Sequence, residues 1–342
     1  MQVVYEHDSC EIIVPPSFGT EICLSQFVVN FNRQFFFQNF LNMARTNIKR
    51  NHPMSDNNEQ QQQDNQQHQV EEKTKRLVIV TGDKGGVGKS TFSRGLLQLY
   101  IDKNLFCIAY DADQRNNQLR RHHEKFNPGL VRCINVFDRG KADQLLIDLE
   151  AETFPLVLLD LPAQSGGVFE LFVKELSFFD TLANELGYRV TMVSVINRLR
   201  DSVNILNALH KYCENKVDYV VVKNLFFGDK EKFGRYDGSP IRETLLGKGL
   251  VEVLMPELID YCYDFIDEND LTFRQASSKD FGSLLAVRAR VKSWLDDFEE
   301  KLKPAHNLLG FNCEQLPEGF SHTVKEHESE KATVDDKAQN AA

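Results

Sequence analysis

Ten residues, "GDKGGVGKST" (82–91), concentrate the chemistry of this chain. Glycines let successive backbone N–H groups converge on anionic oxygens with no Cβ in the way. Ending the run in Gly-Lys-Ser-Thr adds an ammonium, two hydroxyls and a helix N-terminus at the same spot, the set that binds a chain of phosphates. On this reading Gly85, Gly86, Val87 and Gly88 form the backbone cradle. Lys89 reaches the β and γ phosphates, Ser90 is placed to ligate Mg²⁺, and Thr91 donates to the α phosphate. Acidic residues follow downstream. "CIAYDADQRNN" (107–117) ends an apolar run in Asp111-x-Asp113, and "PLVLLDLPAQSGG" (155–167) ends another in Asp160. Carboxylates orient water and fix Mg²⁺ through its hydration shell. The carboxyl ends of buried strands are where open α/β sheets gather their ligands. Asn224 closes a third such run, "YVVVKN".

These groups need a scaffold. Apolar runs at 76–81, 105–111, 154–160, 188–196, 217–224 and 250–256 predict strands, and helical patterns over 90–102, 168–175, 202–214 and 281–302 separate some of them. The runs are continuous rather than alternating, so both sheet faces are covered, and strands alternating with helices mean parallel pairing. The expected fold class is therefore α/β, a doubly wound, mostly parallel sheet with helices on both faces, with the strand–glycine loop–helix unit of a P-loop NTPase at 77–102. In the last helix Phe281, Leu284, Leu285, Val291, Trp294, Leu295, Phe298 and Leu302 form a stripe expected to pack on the core. Four zones are expected. Residues 1–53 hold a Phe-rich patch, "FNRQFFFQNF" (31–40), with no clear partner; a natural start at Met43 or Met54 competes there with a short docking element. Residues 54–75 form a disordered Gln/Asn-rich linker, 76–305 the nucleotide-binding domain, and 306–342 a largely disordered acidic tail.

The stretch Asp83 to Thr91, "DKGGVGKST", resembles the deviant Walker A motif, x-K-G-G-x-x-K-[ST], of the ParA/MinD group of ATPases, the CobQ/CobB/MinD/ParA nucleotide-binding domain family. The resemblance covers roughly 76–302 and implies an ATP- and Mg²⁺-dependent switch. It implies that Lys84 crosses a nucleotide-sandwiched homodimer to touch the phosphates bound by the other subunit, acting with Lys89 in catalysis. By the same resemblance Asp113 positions the attacking water, Asp111 lies near the metal shell, Asp160 holds a Mg²⁺-bound water, and Gly166 and Gly167 let the following loop rearrange. Asn224 would read the adenine edge, with a base-covering loop after Met255-Pro256. The N-K-x-D signature of guanine-specific loops is missing, which favours ATP. Gln114 and Arg115 stand where the family has proline and glutamine, which weakens a partition-specific reading.

Bulk properties narrow the role. The chain of 342 residues has net charge −10 and seven scattered cysteines without a C-x-x-C pair, the pattern of reduced cytoplasmic thiols rather than of a disulfide framework, a zinc site or a cysteine-held cluster. No apolar run has membrane-spanning length, and with Glu6, Asp8 and Glu11 interrupting the first residues a secretory signal is not expected. Four readings of the ATPase are weighed. A plasmid or chromosome partition protein would bind DNA nonspecifically and be triggered by an activating partner protein; Arg115, Arg120, Arg121, His122, His123, Lys125 and Arg132 are candidates to meet phosphates. An accessory ATPase of conjugation or mobilisation shares the same core. A ligase or synthetase on the same fold carries no short signature. A membrane-cycling ATPase is disfavoured, because the last helix ends in "DDFEEK" and an acidic tail follows.

Overall fold

The computed structural model describes residues 2–6, 9–13, 75–82, 84–317 and 322. The Phe-rich patch, both alternative starts, the Gln/Asn-rich segment, Asp83 and, apart from His322, the last residues of the acidic tail lie outside them. The chain divides into two units, 1–69 and 70–342. In the first, β1 (Gln2–Glu6) and β2 (Ser9–Ile13) pair antiparallel.

The second unit is built on seven strands: β3 (Lys75–Thr81), β4 (Cys107–Asp111), β5 (Val131–Cys133), β6 (Leu156–Asp160), β7 (Tyr188–Ile196), β8 (Asp218–Asn224) and β9 (Val251–Met255). Their order is β5-β4-β6-β3-β7-β8-β9, and every neighbouring pair is parallel. The doubly wound parallel sheet expected from the apolar runs is thus present. β5 is an addition: three residues, "VRC", give no periodic signal. The winding reverses at β3, since the chain leaves it for β4 on one side and reaches β7 on the other. The crevice at the carboxyl end of β3 is accordingly where such a sheet binds ligands.

Both faces of β3 are covered. Val78 and Val80 face one apolar cluster and Leu77 and Ile79 the other, as strand alternation requires. The first cluster holds α1 (Lys89–Asp102), α9 (Asp260–Glu268), α10 (Phe273–Ala276) and α11 (Leu285–Leu302), with Leu119 of α2 (Gln118–His123). The second holds α3 (Gln144–Ala151), α4 (Gly166–Glu175), α5 (Phe178–Asn184), α6 (Arg200–Cys213), α7 (Gly234–Asp237) and α8 (Pro240–Leu246). Gly95 of α1 permits the close approach of α11, because a Cβ there would lie 2.8 Å from the Phe298 ring. The stripe on α11 is shorter than expected. Val287, Val291, Trp294, Leu295, Phe298 and Leu302 are buried, whereas Leu284 and Leu285 precede the packed turns and are 73% and 72% exposed.

The packed fold also continues past residue 305. Residues 305–316, of which all but the first were expected to belong to the tail, form a strap with Ala305, Leu309 and Cys313 buried. The Tyr100 hydroxyl donates to the Leu309 carbonyl at 2.6 Å and Thr191 Oγ1 to that of Leu308 at 2.6 Å. Gln315 bridges antiparallel to Leu105, with the Phe106 amide on the Glu314 carbonyl and the Leu316 amide on that of Asn104, both at 2.8 Å. The strap is irregular because its apolar residues serve contacts far away in sequence rather than one helix face.

Candidate nucleotide-binding site

The loop after β3 is shaped by glycines at two left-handed positions, Gly86 (φ +74°) and Gly88 (φ +98°). At Gly88 the need is double: a Cβ would lie 2.5 Å from Asn224 Nδ2 and 2.9 Å from Met255 Cε. The loop is therefore pressed against the carboxyl ends of β8 and β9, where Asn224 and Met255 are register partners. Asn224 Nδ2 donates to the Val87 carbonyl at 2.9 Å, and its Oδ1 accepts from the Phe226 amide at 3.1 Å. Lys89 is buried and donates from Nζ to the Lys84 carbonyl at 3.3 Å, so its ammonium folds back over the loop. The Lys84 side chain is partly exposed and meets Asp201, at the start of α6, at 2.9 Å.

One cavity of about 620 Å³ gathers Gly85, Gly86, Gly88, Lys89, Ser90, Thr91, Asp113 and Asn224. Lys84, Val87, Asp111 and Asp160 do not line it; Val87 packs in the core beneath the loop. Asp113 Oδ1 accepts from the amides of Arg115 and Asn116 at 3.1 and 3.2 Å, closing a turn that presents the residue to the cavity. Asp111 holds that turn together: Oδ1 accepts from the Asp113 amide at 3.0 Å and Oδ2 from the Arg120 amide at 3.1 Å. With both oxygens accepting from backbone amides, Asp111 shapes the loop, and although it does not line the cavity its charge acts on the neighbouring Asp160.

Asp160, at the end of β6, is buried, and burial followed by the nearby Asp111 pushes its pKa up to about 7. Ser93, Ser90 and Lys89 pull the other way, yet Asp160 Oδ1 and Ser93 Oγ have no hydrogen-bond partner. A buried carboxylate oxygen left unpaired beside the Ser90 hydroxyl is costly in the bare protein and fits a divalent cation or its bound water. The residues present thus fit Mg²⁺. Beyond Asp160, Pro162 and Ala163 line the cavity, the Ser165 hydroxyl donates to the Pro162 carbonyl at 2.8 Å, and Gly166 and Gly167 form the first turn of α4.

The cavity has lining that sequence reasoning missed: Asn116, Gln118, Phe226, Asp260, Tyr263, Asp264 and Trp294. Four of these come from α9 and α11. The Trp294 indole donates to the Pro256 carbonyl at 2.8 Å, fixing the loop after β9 against α11. Met255-Pro256 marked this wall; nothing in the local pattern marked α9.

The basic segment after Asp113 differs from expectation. His122 and His123 are fully buried, and burial with the neighbouring Arg94 pushes both pKa values down to about 3, so they are neutral. Arg94 itself is buried over the rings of Tyr263 and Phe273, and burial lowers its pKa to about 10. Arg120 pairs with Glu124, Arg121 with Asp267 and Asp270, and Arg132 with Asp148 and Glu152. The histidines cannot meet phosphates, and three of the five other candidates are neutralised by partners. Among the described residues no helix is long and apolar enough to cross a membrane.

No family model matches the chain. A curated relative, Protein MobD of Acidithiobacillus ferrooxidans, is 24% identical over 229 residues, which cover 67% of this chain and 97% of that protein. Solved structures similar to the chain include a putative plasmid partition protein from Borrelia burgdorferi bound to AMPPNP (16% identity, 68% of this chain and 99% of that one, TM-score 0.42). They include the MinD cell division protein of Aquifex aeolicus (15% identity, 66% and 97%, TM-score 0.40). A nucleotide-binding protein from Archaeoglobus fulgidus in complex with ADP is also similar (16% identity, 61% and 91%, TM-score 0.41).

Proposed function

We propose that the chain is an ATP-hydrolysing switch of the ParA/MinD type. The observation that carries the reading is the single cavity in which the phosphate loop, Asp113 and Asn224 meet, beside a buried carboxylate with an unpaired oxygen. The amides of the loop and the Lys89 ammonium bind the phosphates, and Ser90 with Asp160 holds Mg²⁺, which supplies charge neutralisation on the phosphate oxygens when bound. Asp113 accepts a proton from the attacking water and orients it. Lys84, presented on the surface, contacts the phosphates of a second copy across a nucleotide-dependent homodimer. Exposed and only ion-paired with a surface aspartate, it can be recruited at small cost. Turnover is slow and is raised by an activating partner protein. The proposed setting is cytoplasmic and the proposed task plasmid or chromosome partition, with Arg115 and Lys125 remaining for nonspecific DNA contact.

An accessory ATPase of conjugation or mobilisation is the second reading. It is favoured by the replaced residues Gln114 and Arg115 and by ion-paired or buried side chains where a DNA-binding patch was expected. Similarity over nearly the whole of Protein MobD makes that protein the first to compare. A ligase on the same fold is the third.

Light scattering on the full chain tests the switch, with Mg²⁺ and either no nucleotide, ADP, or a nonhydrolysable ATP analogue. The expected result is a dimer with the ATP analogue alone, lost in Lys84→Ala. A mass that ignores nucleotide would return Lys84 to the role of a surface lysine and bring the ligase reading forward.

A further inference from the structure

The cavity also has apolar lining, Phe226, Met255, Pro256 and Leu258, beside the acids Asp260 and Asp264. Strands β8 and β9 finish side by side with Asn224 and Met255 in register. Past these partners the cavity is lined by Phe226 after β8 and by Pro256 and Leu258 after β9. Phe226 is 51% exposed, a large apolar ring left partly in water on the lining of the cavity. It is not a loose side chain. It sits in a short 3-10 turn (Leu225–Phe227), its amide is held by Asn224 Oδ1 at 3.1 Å, and the Phe227 ring meets it edge-on at 5.3 Å and 89°. Asn224, the residue expected to read the base, gives one N–H of Nδ2 to the Val87 carbonyl. One side chain therefore ties the phosphate loop to the turn that carries Phe226.

We propose that Phe226 is the stacking platform for the nucleobase, and that Asn224 is a positioning residue that sets the distance between platform and phosphate loop. The inference rests on the reading of 82–91 as a triphosphate site. An aromatic ring that lines the same cavity as the apolar residues Pro256 and Leu258 suits a flat purine ring, whose burial removes exposed apolar surface on both partners. A pyrimidine offers less area to the same face.

Calorimetric titration of the full chain with MgATP, MgCTP and inorganic tripolyphosphate tests this, using wild type, Phe226→Ala, Phe226→Trp and Lys89→Ala. Base–aromatic contacts of this kind predict that Phe226→Ala weakens ATP binding by about tenfold or more. Tripolyphosphate binding should stay within about twofold, Phe226→Trp should restore ATP affinity, and the preference for ATP over CTP should shrink in the alanine variant. Unchanged ATP affinity in Phe226→Ala overturns the proposal. An equal loss for ATP and tripolyphosphate does so too, because it would mean that the ring only supports the loop. Wild-type protein that binds neither ligand, like Lys89→Ala, sinks the triphosphate reading and this inference with it.

Discussion

Asp160 offers a test that needs no nucleotide. In the fold its carboxyl has a pKa of about 7 against 3.8 for an ordinary aspartate, because burial and Asp111 disfavour its charge. The folded state therefore holds a proton that the unfolded chain releases at lower pH. Stability from this group is full below about pH 4 and is lost as pH rises to about 7. For these two values the loss is roughly 2 kcal/mol at pH 5 and roughly 4 kcal/mol at pH 8. Asparagine has nearly the same shape and no charge to bury. The Asp160→Asn variant should thus gain on wild type by roughly 2–3 kcal/mol between pH 5 and pH 8. For a unit of this size that is a relative rise in melting temperature of roughly 5–10 °C. The assay is thermal or urea unfolding of both proteins at the two pH values, with chelator and without nucleotide. A variant whose stability relative to wild type is unchanged or falls from pH 5 to pH 8 would refute the argument. It would mean that Asp160 is ionised and paired in the bare fold, and the case for a cation filling that gap would go with it.

Other outcomes follow from the site. Lys89→Ala should abolish MgATP binding, read from the fluorescence of the single tryptophan, Trp294, which lines the cavity. Asp113→Ala should bind ATP and dimerise as wild type but stop phosphate release; turnover at the wild-type rate would remove Asp113 from water positioning. Gly88→Ala forces a side chain into a left-handed backbone and against Asn224. It should cost about 1–3 kcal/mol in stability from the backbone alone and lose nucleotide affinity, with denaturant melts and titration reporting each.

The strand–glycine loop–helix unit was readable because its requirements are local: glycines at 86 and 88, a lysine and hydroxyls at fixed spacing, an apolar strand before and a helix after. The central strands were readable because burial on both faces leaves unbroken apolar runs. What escaped notice depends on distant partners. β5 has three residues, and its place is set by pairing with β4. Arg120, Arg121, His122 and His123 look like a basic patch in sequence. Yet the buried faces of His122 and His123 turn inward onto Arg94, and Arg121 finds acids on α9 and just beyond it. Asn224 was recognisable as a strand end, but its bonds to Val87 and Phe226 are set by how closely the glycine loop approaches. Leu284 and Leu285 fit a helical stripe by spacing, but they stand at the very start of the helix, ahead of the turns that pack on the core.

The strap formed by residues 305–316 has a consequence for how the protein comes to exist. It is among the last of the described residues to leave the ribosome, and it closes on Asn104–Phe106, on Tyr100 and on Thr191, which emerged long before. Until then the apolar surfaces of α1 and β4 that meet Leu309 and Cys313 stay open. Loop closure over so long a stretch is slow, and uncovered apolar surface invites wrong association while it lasts. A chain that stops short of residue 316 therefore has all seven strands of the sheet but lacks the clasp across them, and the apolar surface beneath the strap stays uncovered.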